Sequence, residues 1–149
     1  TGFAGGYLLR NLSSIYGIEN VHGTGRSLSK ARILYDEGFT IKVGDLVDPE
    51  FVNSQLTSYD LIVHCAAKSS VWGSYDSFYK ANVVATKNLL EVIHGEQQLI
   101  YISTANIYFN FLNRRSICED DPLPNPLIFI IQQRSMRTNK LCWRIIKKL

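Results

Sequence analysis

The chain opens with Thr1–Leu9, TGFAGGYLL, which places three glycines at the start of a segment with helical spacing. The apolar residues that follow predict a helix over Gly5 to Tyr16. Its expected apolar face consists of Tyr7, Leu8, Leu12 and Ile15. A glycine-rich turn of this kind normally leaves a β-strand, so we expect residues upstream of Thr1.

Further along, short apolar segments alternate with longer helical ones, which indicates βαβ units and a mostly parallel sheet. Asp48 and Pro49 predict a helix start, and a second long helix is predicted over Ser74 to Ile93. The predicted strands are Asn20–Thr24, Phe39–Val43, Asp60–Ala67 and Leu99–Thr104. In a doubly wound sheet the strand before the first helix is central, so we expect the sheet here to be incomplete.

The composition is that of an ordinary globular domain, with 149 residues of which 46% are hydrophobic and 19% charged. Cys65, Cys118 and Cys142 lack the spacing of a zinc site or a disulfide framework. We therefore expect a reducing, cytoplasmic setting. We also expect no membrane partner, because we find neither a signal peptide nor an apolar stretch of spanning length.

Several residues have the chemistry of a dinucleotide site. The Gly2–Gly5 turn lets backbone amides approach a pyrophosphate at a helix N-terminus, although a glycine-capped loop would give the same pattern. Gly25 and Arg26 stand where such folds read the adenosine ribose, and a cation there favours NADP, unless Arg26 is simply solvated. Asp45 follows a strand, where its carboxylate can accept from an adenine amino group.

Five motifs in register resemble the extended short-chain dehydrogenase/reductase superfamily, in its NAD-dependent epimerase/dehydratase group. The similarity runs from Thr1 to about Pro126, and it is closest to the 3β-hydroxysteroid dehydrogenase-like and β-keto reductase-like branch. The motifs are TGFAGG, GDLVD, VHCAAKSS, FYKANVVATKNLLE and YISTANIY. This resemblance implies a Rossmann-type domain over residues 1–126.

The resemblance also implies roles for individual residues, an NAD(P) cofactor and a small-molecule substrate. Thr104 would be catalytic, because it matches the Ser/Thr that hydrogen-bonds the substrate oxygen. Asn82 would brace the site from its helix. The cofactor-binding residues would be Gly2, Phe3, Ala4 and Gly5 at the pyrophosphate, Asp45 and Leu46 at the adenine, and Ala66, Ala67 and Ser103 elsewhere along the cofactor. A homodimer is compatible with the intact family, and the oligomeric state of this chain stays open.

The chain departs from the family pattern at two places. Ala85 stands where the helix motif usually has glycine. More importantly, the family needs a Tyr-x-x-x-Lys pair some two dozen residues after the Ser/Thr, in which lysine lowers the pKa of the proton-transferring tyrosine. In this chain that place is occupied by FIIQQRS, Phe129–Ser135.

Residues 127–149 form an aberrant basic tail. The chain has 10 Lys/Arg against 13 Asp/Glu before Ile130, and 6 Lys/Arg with no acidic residue from Ile130 onward. We interpret the tail as a shifted reading frame, because the codons that straddle Phe129 to Arg134 permit Tyr-Tyr-Ser-Thr-Lys, which restores the missing motif. The alternative is a basic tail that binds nucleic acid or an anionic membrane surface.

The sequence therefore predicts part of an NAD(P)-dependent oxidoreductase that moves a hydride at a secondary alcohol or ketone carbon. Two alternatives stay open. One is a nucleotide-sugar epimerase or dehydratase, and the other is a non-catalytic, NmrA-like module that binds a dinucleotide.

We predict that the 149-residue chain shows no turnover, because its sequence contains no Tyr-x-x-x-Lys to transfer the proton. The measurement is NADPH and NADH absorbance with purified chain and a panel of ketones. Oxidation of either dinucleotide above the rate without enzyme would contradict it.

Overall fold

The computed structural model describes residues 1–70, 72–104, 108, 115–118 and 120–122. Four short strands lie in this part of the chain and form two parallel pairs, β1 with β2 and β3 with β4. The strands are β1 (Gly23–Gly25), β2 (Ile41–Val43), β3 (Leu61–His64) and β4 (Gln98–Tyr101). Within the described residues, the two pairs belong to separate sheets.

Helices connect the strands, in the alternating order that the sequence predicts. They are α1 (Phe3–Tyr16), α2 (Leu28–Asp36), α3 (Pro49–Leu56), α4 (Tyr75–Tyr79) and α5 (Ala85–Val92), with a 3₁₀ turn at Ile18–Asn20 and a π-helical turn at Lys80–Val84. Capping side chains explain three of the starts: Ser27, Asp48 and Ser74 each accept a hydrogen bond from a backbone amide in the first turn.

This architecture confirms the predicted α/β class and the incomplete parallel sheet. The helix start at Asp48 and Pro49 is also as predicted. The strands are shorter than predicted: the 3₁₀ turn takes up Ile18–Asn20, and β3 and β4 end at His64 and Tyr101. The helix predicted over Ser74 to Ile93 spans α4 to α5, but the π-helical turn interrupts it.

The predicted apolar face of α1 holds only in part, since Leu8 and Leu12 are half-buried and the other two residues are exposed. Helix α1 buries Gly6 and Leu9, whereas the side chains of Tyr7 and Ile15 are 65% and 70% exposed. The reason is the close approach at Gly5, where an added Cβ would lie 3.3 Å from the Cys65 sulfur. The glycine face of the helix therefore makes the contact, and it turns Tyr7 and Ile15 away.

The apolar side chains form two clusters, one on each strand pair. The cluster beside β1 and β2 consists of Leu9, Ala31, Leu34, Phe39 and Ile41, and the cluster beside β3 consists of Leu46, Val52, Leu56, Ala85 and Leu89.

Polar contacts also connect the elements. Arg10 donates two hydrogen bonds to the Glu37 carboxylate and so ties α1 to the end of α2. The His22 ring and the Tyr59 hydroxyl, 2.7 Å apart, connect the amino ends of β1 and β3.

Some sequence predictions fall outside the described residues. The predicted basic tail, residues 127–149, lies entirely beyond them, as does the place expected for Tyr-x-x-x-Lys. Among the described residues, no helix has both the length and the apolar character needed to cross a membrane.

We predict that Asp48→Ala lowers the free energy of unfolding by about 1 kcal/mol, the usual cost of losing an N-cap. The Asp48 carboxylate accepts from the Glu50 amide at 3.0 Å, and alanine leaves that donor unpaired. Urea unfolding followed by circular dichroism measures the change. The matched control is Asp48→Asn, which keeps a capping oxygen and should stay within about 0.5 kcal/mol of the parent chain. Equal losses in both variants would contradict the cap.

Candidate functional site

The carboxyl ends of β1 and β3 meet at the start of α1. The Thr1 nitrogen donates to the Thr24 carbonyl at 2.9 Å, and the Thr1 side chain lies against Gly25. On its other side, Gly5 lies against Cys65, the residue that follows β3. This edge of the molecule is where parallel α/β sheets bind ligands.

The predicted pyrophosphate residues lie at the N-terminus of α1. Gly2 is the N-cap and makes no side-chain capping bond, and the first intrahelical bond runs from the Gly6 amide to the Gly2 carbonyl. Helix geometry thus leaves the amides of Phe3, Ala4 and Gly5 pointing out of the helix end. The surroundings are open, since nothing lies within 4 Å of a Cβ built on Gly2 and the Phe3 side chain is 97% exposed.

Arg26 and Asp45 come together beside this helix end. Arg26 follows β1, Asp45 lies two residues beyond β2, and Arg26 Nη1 is 3.7 Å from Asp45 Oδ2. Their side chains are 63% and 46% exposed, so the ion pair is weak and both groups stay accessible to a ligand. The other carboxylate oxygen of Asp45 accepts from the Val47 amide at 3.0 Å, which fixes the orientation of the side chain.

Leu46, expected at the adenine, is only 9% exposed, because its side chain packs in the cluster beside β3. The loop that carries it is held by Asn88, whose amide donates to the Leu46 and Val47 carbonyls, each at 2.9 Å. Asn88 was not predicted from the sequence. The pattern that could have indicated it is a polar residue beside Leu89 on the buried face of a helix.

Ala66 and Ala67 are exposed after β3, and the segment that continues from them is held by Asn82. The Asn82 side-chain oxygen Oδ1 accepts from the Lys68 amide at 2.7 Å, and the Asn82 side-chain nitrogen donates to the Lys68 carbonyl at 3.1 Å. Asn82 is 2% exposed and lies in the π-helical turn, a feature common at functional sites. It therefore fixes the backbone next to the two alanines.

Ser103 and Thr104 follow β4 and are both exposed. The Ile102 amide donates to the His64 carbonyl at 3.0 Å, so the chain after β4 still runs beside the end of β3. The structure thus brings Ser103 and Thr104 to the edge that carries Ala66 and Ala67. The sequence position expected for the proton-transferring Tyr-x-x-x-Lys pair lies outside the described residues.

A buried polar network supports Asn82 from beneath. The Thr86 hydroxyl donates to the Asn82 carbonyl at 2.6 Å, so its oxygen accepts from His64 Nε2, 2.9 Å away. His64 is 3% exposed, and burial lowers its pKa to about 4. It is therefore neutral at pH 7 and carries its proton on Nε2.

Residues 1–128 match the model of the NAD dependent epimerase/dehydratase family. The chain belongs to this family. The 2-alkyl-3-oxoalkanoate reductase of Stenotrophomonas maltophilia is 41% identical over 66 residues, which are 43% of this chain and 20% of that protein. The decarboxylating sterol-4-alpha-carboxylate 3-dehydrogenase of Dictyostelium discoideum is 28% identical over 131 residues, covering 83% of this chain and 39% of that enzyme.

Solved structures of the family share the fold. A UDP-glucuronic acid 4-epimerase of Bacillus cereus superposes with a TM-score of 0.76 at 23% identity, over 98% of this chain and 48% of the epimerase chain. This likeness confirms the Rossmann-type α/β fold expected from the sequence. The chain spans less than half the length of each of these three proteins.

We predict that His64 makes stability depend on pH between about 6.5 and 4. Because the folded-state pKa is lowered, the unfolded chain takes up this proton first, and stability is lost as pH falls through that window. The loss between pH 7 and pH 5 is about 2 kcal/mol, from 1.36 kcal/mol per pKa unit. The measurement is urea unfolding at both pH values. The control is His64→Gln, which can still donate to Thr86, and a pH loss of equal size in that variant would contradict the assignment.

Proposed function

We propose that residues 1–126 are the dinucleotide-binding part of an oxidoreductase that transfers a hydride at a secondary alcohol or ketone carbon. The observation that carries the proposal is the continuous edge built by the α1 N-terminus, Arg26, Asp45 and the segment after β3. Family membership supports the same assignment. The family match ends at residue 128, close to the boundary that we propose for this part.

The residues at this edge suit NAD(P). The outward-pointing amides at the start of α1 are donors for a pyrophosphate, and Asp45 presents an acceptor for an adenine amino group. When bound, the dinucleotide supplies the hydride donor or acceptor. Thr104 would hold the substrate oxygen at the other end of the edge, beyond Ala66 and Ala67.

We further propose that the substrate carries a carboxylate close to the reacting carbon. The names of the two relatives share this chemistry. In a 3-oxoalkanoate the ketone carbon is bonded to the carbon that bears the carboxylate. In a sterol 4-carboxylate that reacts at carbon 3, the reacting carbon has the same neighbour. The proposed class is therefore 3-oxo or 3-hydroxy acids.

The two alternatives predicted from the sequence make different demands on the cofactor. A nucleotide-sugar epimerase uses the dinucleotide transiently and would retain it through purification, whereas a reductase exchanges it. An NmrA-like module would bind dinucleotide without turnover. The lack of Tyr-x-x-x-Lys leads us to propose binding without turnover for this chain as well, and the names of the relatives favour the reductase lineage. We also propose a cytoplasmic location.

Arg26 is the basis for proposing NADP over NAD. Its guanidinium is accessible beside the ribose end of the site, and the paired Asp45 is close enough to orient it. The planar guanidinium of Arg26 matches the geometry of the 2′-phosphate of NADP. The 2′-hydroxyl of NAD does not use this geometry.

We predict that Arg26→Ala weakens NADPH binding about tenfold and changes NADH binding less than about twofold, since a charge-assisted hydrogen bond contributes about 1.5–3 kcal/mol. Isothermal titration calorimetry on the full chain measures both affinities. Arg32→Ala is the control, because Arg32 is an exposed arginine on α2 and should affect neither ligand. Equal affinity of the parent chain for the two dinucleotides would refute the NADP preference, and binding of neither would refute the proposed function.

A further inference from the structure

Lys68 lies at the edge of the site. Its backbone is held by hydrogen bonds, but its ammonium group has not been given a role. It follows Ala66 and Ala67, and Asn82 holds both its amide and its carbonyl. None of the predicted site roles includes it. Because the backbone is fixed on both sides, the ammonium group has a limited range of positions.

The Lys68 side chain turns toward α4. Its Nζ donates to the Ser77 hydroxyl at 2.8 Å and lies 5.0 Å from the centroid of the Phe78 ring. Ser77 in turn donates to the Ser74 carbonyl at 2.8 Å, so its oxygen accepts from Lys68 as a neutral partner. These contacts hold the ammonium in place without neutralising it.

Within the described residues, none of the ion pairs includes Lys68. The nearby carboxylate of Asp76 pairs instead with Lys80 at 3.0 Å. Lys68 is partly buried, and an ammonium has three donors, of which one is used by Ser77. A partly desolvated cation with spare donors is stabilised by an incoming anion.

Gly73 packs closely beside this ammonium. A Cβ built on Gly73 would lie 3.3 Å from Lys68 Nζ and 3.0 Å from the Phe78 ring, so a larger residue would displace the ammonium. Its φ of +147° also favours glycine over other residues. The adjoining Trp72 is 84% exposed, so an apolar surface adjoins the cation.

We propose that the Lys68 ammonium binds the carboxylate of the substrate, with Gly73 packed against the ammonium on its other side. This inference rests on the proposed function and adds the residue that recognises a 3-oxo or 3-hydroxy acid. The pyrophosphate is served elsewhere, by the start of α1 against Cys65, whereas the Lys68 ammonium packs on α4. An anion that binds at Lys68 would therefore be the substrate carboxylate rather than the pyrophosphate.

The test compares acetoacetate with its neutral ethyl ester on the full chain saturated with NADP⁺, using amide chemical shifts to obtain both affinities. The parent chain should bind acetoacetate at least about tenfold more tightly than the ester, the effect of one charge-assisted hydrogen bond. Lys68→Gln should remove this preference, and Lys68→Arg should keep part of it. Gly73→Ala should weaken acetoacetate more than the ester. Lys80→Gln is the matched control and should leave the preference unchanged.

Each outcome decides the matter. No preference in the parent chain, or an equal preference in Lys68→Gln, overturns the assignment. Loss of NADP⁺ affinity in Lys68→Gln also overturns it, because the ammonium would then serve the cofactor. Failure of the parent chain to bind any dinucleotide refutes the proposed function instead. If Lys68→Gln unfolds by circular dichroism, Lys68→Arg and Gly73→Ala carry the test, and an unchanged preference in both overturns the proposal.

Discussion

The start of α1 is held by a hydrogen bond from the Thr1 nitrogen to the Thr24 carbonyl. This hydrogen bond and the approach of Gly5 to Cys65 place the helix between two strand pairs that belong to separate sheets within the described residues. The free amides at the helix start consequently face the carboxyl ends of both pairs. A change that displaced this turn would separate these free amides from Asp45 and from Ala66 together.

The alternating order of helices and strands was predictable because each element has a local signal. Asp48 with Pro49 marks a helix start through capping chemistry that requires no tertiary contact. The buried face of α1 was not predictable from spacing, because the glycines let their own side of the helix pack closest and leave Tyr7 and Ile15 outside. The π-helical turn was also hidden, since it accompanies a long-range contact between Asn82 and Lys68.

The residues of the site also divide into those that could be predicted from the sequence and those that could not. Arg26 and Asp45 were assigned from their places after successive strands, and parallel pairing brings such places together. Asn88 and Lys68 were missed, because their contacts depend on which side chains pack beside them. Asn88 occupies a helix face that composition alone would assign to apolar packing, and the burial of Leu46 was equally hidden. His64 belongs to this group too, since only its burial makes it neutral.

The Arg26–Asp45 pair gives the site an internal competitor. A 2′-phosphate bound at Arg26 as we propose would share the guanidinium with a carboxylate that already lies 3.7 Å away. The proposed selectivity would thus be the difference in free energy between an Arg26–phosphate and an Arg26–carboxylate contact, smaller than the full strength of an arginine–phosphate contact. Dissolved salt screens both attractions at once. We therefore expect the proposed choice of cofactor to change less with ionic strength than the overall affinity does.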